Sequence, residues 1–310
     1  MAQNSIGDPI RIGTRGSPLA LIQANQVRDG LLAAHEGLEV EIVVIRTSGD
    51  RIQDRPLADV GGKGLFTKEI EEAMLDNRID LAVHSMKDVE TWLSDGFVID
   101  AILERADPRD GFIGRDAARL ADLPAGAVVG TSSMRRQSQI LAARPDVRVE
   151  SIRGNVETRL AKLADGECDA TLLAVSGLVR LGKVDVLTSI MDVDEMLPAV
   201  AQGAVGVEIR ESDDSLRRLL APLNHADTAV RVGAERAVLA ALDGSCRTPI
   251  GALAEFDGPD ALTLTGLVAS LDGKTVHRRC ERGARIDAIM LGTELGAALK
   301  ADAGPNLFTA

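Results

Sequence analysis

The chain has 310 residues, 45% of them hydrophobic and 26% charged, with a formal net charge of -12 at pH 7. That is a globular composition, long enough for two or three domains with substantial cores. The acidic balance, with 2% aromatic residues and no tyrosine, argues against a polyanion surface or a base-stacking platform, so no nucleic-acid partner is expected.

The first nine residues, Met1 to Pro9, have neither a basic start nor an apolar core of signal-peptide type, and no apolar run reaches membrane-span length. Cys168, Cys246 and Cys280 are odd in number and have no metal-ligand spacing. The expectation is a cytoplasmic protein without membrane, metal or disulfide framework.

Pro9 to Thr14 reads as a short strand. Ser17 is a good N-cap with Pro18 behind it, and Leu19 to Ala34 has helical periodicity. Val40 to Arg46 reads as a buried parallel strand. Ser48 to Gly64 reads as a long functional loop ending Gly61-Gly62-Lys63-Gly64, followed by a helix over Leu65 to Leu75 and a strand over Ile79 to Val83. The theme repeats further on. A strand is expected over Ala127 to Thr131, a helix over Ser132 to Ala143, and a strand over Val147 to Ile152. A helix over Asn155 to Leu163 and a strand over Ala170 to Val175 complete it. Two short echoes, Gly13-Thr14-Arg15-Gly16-Ser17 with Gly130-Thr131-Ser132-Ser133, and the segments at Ile79 and Cys168, point to two similar α/β lobes. A cleft at the carboxyl ends of their strands is where such an architecture takes a ligand.

From Ala226 the pattern changes. A long helix over Ala229 to Leu242 ends at Asp243-Gly244, two alternating segments flank Leu271-Asp272-Gly273-Lys274, and a last helix covers Arg285 to Ala301. This is a small α+β domain with a β-hairpin.

The arginines of this acidic chain stand in small-residue turns: Thr14-Arg15-Gly16-Ser17, Thr131-Ser132-Ser133-Met134-Arg135-Arg136 and Arg153-Gly154-Asn155, with Arg159 shortly after. A helix N-terminus beside a guanidinium fork receives carboxylate or phosphate, and several such sites suggest a ligand with several negative groups. Solvated surface arginines are the bland alternative. Cys246 lies in a loop of small residues next to Arg247, a setting that favours the thiolate, whereas Cys168 and Cys280 read as structural. His84-Ser85-Met86-Lys87-Asp88 follows a buried strand, where an α/β site keeps catalytic groups; a helix-capping Asp and a solvated Lys are the competing reading. Lys63 lacks the flanking residues of a phosphate-binding loop, and no metal-binding carboxylate set supports phosphoryl transfer.

These segments together resemble the porphobilinogen deaminase (hydroxymethylbilane synthase) family. The colinear motifs are Thr14 to Ala20, Val60 to Phe66, Ala82 to Asp88, Gly130 to Gln137, Arg153 to Val156, Leu197 to Gly203, and Glu235-Arg236 through Gly244 to Pro249. The resemblance covers Arg11 to about Gly251 and is weak beyond it. It implies a transferase that condenses four porphobilinogen molecules head to tail, releasing ammonia, on a dipyrromethane primer held by a thioether at Cys246. By matching position, Asp88 is the catalytic carboxylate. Lys87, Ser133, Arg135, Arg136 and Arg159 bind the dipyrromethane, Arg15, Ser17, Arg153 and Arg180 bind substrate carboxylates, and Lys63 and Phe66 belong to a lid. Ser245 and Glu90 depart from the family pattern, which often has glycine and proline there.

The expected architecture is two similar doubly wound, periplasmic-binding-protein-like α/β lobes, 5–103 with 198–222 and 104–197, plus a small C-terminal α+β domain over 223–310. A monomer whose partner is the small-molecule substrate porphobilinogen is expected. A two-lobed anion receptor without catalysis is the rival; it needs no thiol and would carry no bound pyrrole.

Overall fold

Short, almost continuously buried strands, and Ser, Asn and Pro at helix starts, set the order of elements. The computed structural model describes residues 9–51, 67–245 and 248–304. It opens with β1 (Ile10–Arg15), α1 (Pro18–Ala34), β2 (Val40–Ile45), α2 (Ser48–Arg51), α3 (Lys68–Leu75), β3 (Leu81–Ser85) and β4 (Phe97–Ile102). There follow β5 (Asp110–Gly114), β6 (Val128–Gly130), α4 (Met134–Ala143), β7 (Arg148–Glu150), α5 (Val156–Ala164), β8 (Ala170–Ala174), α6 (Val175–Arg180) and β9 (Ser189–Ile190). The rest is β10 (Val205–Arg210), α7 (Asp214–Leu220), α8 (Ala226–Ala241), β11 (Ile250–Phe256), β12 (Ala261–Ala269), β13 (Val276–Ala284) and α9 (Ala288–Ala303).

The described residues form two compact units. The first gathers those up to Arg105 with Ala204–Ala229; the second gathers Ala106–Gly203 with those from Val230 onward. In the first, the sheet order is β2-β1-β3-β10-β4, with β1 parallel to β2 and β3, and β10 antiparallel to β3 and β4. The strands alternate faces residue by residue. Ile12, Leu81, Val83 and Val207 pack with Ala24, Val27 and Leu31 of α1. Ile45 and Ala82 pack with Ile70, Ala73 and Met74 of α3. Each fully buried Ile or Leu contributes about 1.5–3 kcal/mol, so helices on both faces lock the register.

The second unit repeats that plan. Its sheet order is β7-β6-β8-β5-β9, with β6 parallel to β7 and β8, and β5 antiparallel to β8 and β9. Phe112, Val129 and Leu172 pack with Ile140 of α4 on one face. Ile113 and Leu173 pack with Leu163 and Leu178 on the other. A separate antiparallel sheet, β11-β12-β13, follows. Helix α9 lies against α8 with glycines at the crossing: a Cβ on Gly292 would stand 2.2 Å from Ala234 O, and one on Gly296 2.6 Å from the Ala241 Cβ. The two doubly wound α/β lobes and the small α+β domain expected from the sequence are both present.

Several boundaries differ. The strand expected to open at Ile79 begins at Leu81 and runs on through His84 and Ser85. Strands β4, β5, β10 and β11 carry no sequence signal read above. Ser48–Arg51 is helical rather than loop, and 52–66, with the rest of the expected loop, lies outside the described residues.

A strap over 197–203 ties the second unit together. Leu197 N donates to Gln139 Oε1 at 2.8 Å, and Pro198 O accepts from Ala252 N at 3.2 Å. Glu235 of α8 is fully buried and receives Ala201 N at 2.7 Å and Ala254 N at 2.9 Å. Ala201 sits at φ 59, a conformation that costs a non-glycine residue energy and is held by that bond. Replacing Glu235 by Leu orphans two buried backbone donors at about 1–3 kcal/mol each. Glu235→Leu is therefore expected to lower unfolding free energy by about 2–6 kcal/mol, as read from chemical denaturation.

Candidate catalytic and anion-binding site

Helix α1 starts where Ser17 accepts a hydrogen bond from Ala20 N at 3.3 Å, with Pro18 in its first turn. That places Arg15, at the carboxyl end of β1, beside the opening turn of a 17-residue helix. The parallel neighbour β3 ends at Ser85, and a single 3-10 turn, Met86–Asp88, follows it. Between these strand ends lies a pocket lined by Arg15, Ser17, Gln23, His84, Ser85 and Asp88, among others. Gln23 fastens its wall, pairing its amide with the Ser85 hydroxyl at 2.8 and 2.9 Å. Behind it, His84 Nε2 lies 2.8 Å from Glu208 Oε2. On that same side of the sheet Glu71 has its carboxyl pKa raised, chiefly by burial and further by the charge of Glu208. Lys87 and Asp88 are half-buried.

In the second unit, the echo of that first helix start is Ser133, which accepts from Arg136 N at 3.4 Å and caps α4. Arg135 and Arg136 then fall in the first turn of the helix. The open guanidinium forks read from the sequence are not what the structure shows for this pair: Arg135 is 4% and Arg136 5% exposed. Both turn onto Asp110, which heads β5 and is fully buried. Arg136 Nη2 and Nε donate to Asp110 Oδ1 at 2.6 and 3.2 Å, and Arg135 Nη2 lies 2.8 Å from Oδ2. Gln202 Nε2 donates to Asp110 Oδ1 at 3.0 Å. Arg135 Nη1 also donates to Leu197 O, and Arg136 Nη1 to Leu172 O, each at 2.7 Å. Burial alone would raise the Asp110 pKa; the two guanidiniums and their hydrogen bonds more than offset it and hold the carboxyl below its usual range.

Arg159 lies on α5, behind the Asn155 cap, and its Nε donates to Gly154 O at 3.0 Å. Arg180 ends α6 and its Nη2 donates to Gly203 O at 2.9 Å, with burial lowering its pKa. Arg153 is half-buried. Thus Arg15, Ser17, Lys87 and Asp88 belong to the first unit, where the pocket unites Arg15, Ser17 and Asp88. Ser133, Arg135, Arg136, Arg153, Arg159 and Arg180 belong to the second.

Cys246, Arg247, Lys63 and Phe66 lie outside the described residues. On either side of Cys246 and Arg247, Ser245 and Thr248 are tied to each other: Thr248 N donates to Ser245 O at 3.1 Å, its Oγ1 to the same oxygen at 2.7 Å, and Ser245 N to Oγ1 at 3.0 Å. Cys168 is buried, and burial raises its thiol pKa; Cys280 is exposed on β13 rather than in a core. Among the described residues no cluster of His, Cys, Asp or Glu could hold a metal ion, and no helix is long and apolar enough to cross a membrane.

Asp110 and Glu208 are buried carboxylates beside the site residues that the sequence reading passed over. Each is visible as a lone acid in an apolar run, Asp110-Gly111-Phe112-Ile113 and Val205-Gly206-Val207-Glu208-Ile209. A buried charge in such a run requires a partner.

A family model described as porphobilinogen deaminase, dipyromethane cofactor binding domain, matches residues 10–218, and one described as porphobilinogen deaminase, C-terminal domain, matches 229–301. The chain is 55% identical over 305 residues to the chloroplastic porphobilinogen deaminase of Oryza sativa subsp. japonica, covering 96% of this chain and 85% of that one. It is 55% identical over 300 residues to the porphobilinogen deaminase of Nitrobacter hamburgensis, covering 96% and 95%. Among solved structures, a periplasmic substrate-binding protein of an ABC transporter from Coxiella burnetii is 14% identical, with a TM-score of 0.42 over 73% of this chain and 96% of that one.

A carboxyl whose native pKa is lowered stabilises the fold above its unfolded pKa, about 3.9 for Asp, and loses that contribution as pH falls toward the native value. Parent protein should therefore lose stability on acidification below about pH 5 more steeply than Asp110→Asn. Urea denaturation at stepped pH is expected to show the gap between them narrowing as pH falls.

Proposed function

The chain belongs to the porphobilinogen deaminase family, and from that premise we propose how its residues join four porphobilinogen molecules head to tail and release the linear tetrapyrrole, hydroxymethylbilane, by hydrolysis. The observation that carries the reading is the pocket at the ends of β1 and β3, which Arg15, Ser17 and Asp88 all line. An anion receptor and a carboxylate are what a pyrrole with acidic side arms and a departing amine needs.

At each step the aminomethyl carbon of porphobilinogen loses ammonia and bonds to the free α-carbon of the acceptor pyrrole, which gives up its proton. The Asp88 carboxylate accepts the pyrrole N–H and offsets the positive charge that builds as the C–N bond breaks. Arg15, with the donors of the α1 N-terminus and the Ser17 hydroxyl, binds a substrate carboxylate and fixes the ring's orientation. Arg153 and Arg180 bind further substrate carboxylates, and Lys63 and Phe66 belong to a lid.

A dipyrromethane linked to Cys246 supplies, when bound, the first acceptor carbon. The residues present fit such a group. Two buried guanidiniums share one carboxylate, Asp110, and Arg135 Nε is buried with no hydrogen-bond partner among the described residues, which suits an additional anion. Lys87, Ser133, Arg135, Arg136 and Arg159 would hold its carboxylates. The Cys246 thiolate is the soft nucleophile for the thioether. We take the chain to be a cytoplasmic monomeric transferase of two α/β lobes and a small C-terminal domain.

Denaturing intact-mass analysis tests the assignment. Cys246→Ser should lack the dipyrromethane mass and make no bilane; product formation at the parental rate would overturn the reading. Asp88→Ala should keep the mass while its turnover falls at least about 100-fold.

A further inference from the structure

Two like charges side by side in a site closed to water call for an explanation. Arg135 and Arg136 adjoin in α4, and the carboxylate that acts on Arg135 is Asp110, while Arg136 opposes it. Two cations thus face one anion where solvent cannot make up the difference. The anion itself is held rigidly. Asp110 receives Arg136 and Gln202 on Oδ1, and Gln202 Nε2 also donates to Pro108 O at 2.7 Å. Leu172 O and Leu197 O take one Nη1 from each guanidinium. Among the described residues one donor is left over: Arg135 Nε, buried and unpartnered.

A purely structural ion pair would balance charge one to one and satisfy its donors. This cluster does neither. We propose that Asp110 is a positioning residue for the dipyrromethane: with Gln202 behind it, it clamps both guanidiniums in one orientation and leaves one positive charge for a carboxylate of the bound group to neutralise. The inference rests on the reading that Arg135 and Arg136 hold that group. It adds that they do so only while an ionised carboxylate stands at position 110. Without it, adjacent guanidiniums repel and swing apart, so the anion site is lost even though net positive charge has risen.

The test uses full-length protein made without the cofactor, in cells unable to form porphobilinogen, and then mixed with porphobilinogen. Intact mass spectrometry follows the gain of the dipyrromethane mass, and far-UV circular dichroism reports the folded fraction. Asp110→Asn is expected to load at least tenfold more slowly than the parent per folded molecule, with Asp110→Glu recovering part of the rate and Gln202→Met several-fold slow. The parent's melting temperature should rise on loading, and that of Asp110→Asn should rise by less than half as much.

Loading by folded Asp110→Asn at or above the parental rate overturns the proposal. If that variant does not fold, Gln202→Met decides, and parental loading by it is equally fatal. Arg136→Leu separates the layers: parental loading there removes the underlying reading of the arginines. Slow Arg136→Leu beside a normal Asp110→Asn removes Asp110 alone.

Discussion

One carboxylate shared by two guanidiniums is the constraint on which the second unit is built. Asp110 heads β5, Arg135 and Arg136 open α4, Leu172 belongs to β8, and Leu197 and Gln202 come from the strap. Four pieces of chain, far apart in sequence, therefore meet at one charge. Unit charges 4 Å apart attract by about 4 kcal/mol at an effective dielectric of 20, and stripping one partner from a buried pair costs about 3–5 kcal/mol. Alternative packings that separate the three groups are disfavoured by that margin. The start of α4 has its place because its arginines have nowhere else to put their charge.

The two units share a plan and use it differently. In each, a parallel strand leads into a helix capped by serine, Ser17 after β1 and Ser133 before α4. In the first, the arginine precedes the cap and lines a pocket with Asp88. In the second, the arginines follow the cap and are drawn inward to Asp110. A shift of a few positions relative to the same capping device separates a guanidinium that lines a pocket from a pair set in the core. The helix N-terminus supplies partial positive charge in both cases.

Much of this was legible in the sequence because its signals are local. Ser17-Pro18 and Asn155 announce helix starts, β-branched runs announce parallel strands, and the motifs around Arg15, Asp88 and Arg135 carry the family resemblance. What sequence reading missed is non-local. Strands β5 and β10 run antiparallel beside parallel neighbours, a pairing that no period within either segment encodes. Asp110 stands 25 positions before Arg135, so neither the burial of the arginines nor their shared partner could be read from their turn. Cys280 misled in the opposite direction: its alternating strand faces outward, and alternation alone does not say which face is covered.

The strap over 197–203 is gripped almost wholly by its main chain: Leu197 by N and O, Pro198 by O, Ala201 by N and Gly203 by O. Those main-chain contacts ask for no particular side chain, although Leu197, Val200 and Ala201 are themselves buried. Gln202, whose amide donates to Pro108 O and Asp110 Oδ1, and Gly203, at φ 91 with Ala106 O 2.4 Å from where a Cβ would stand, are the exceptions. Such a segment is measured by its length rather than its letters. One residue inserted or deleted would shift every carbonyl against its partner, releasing an arginine, a glutamate and a strand together.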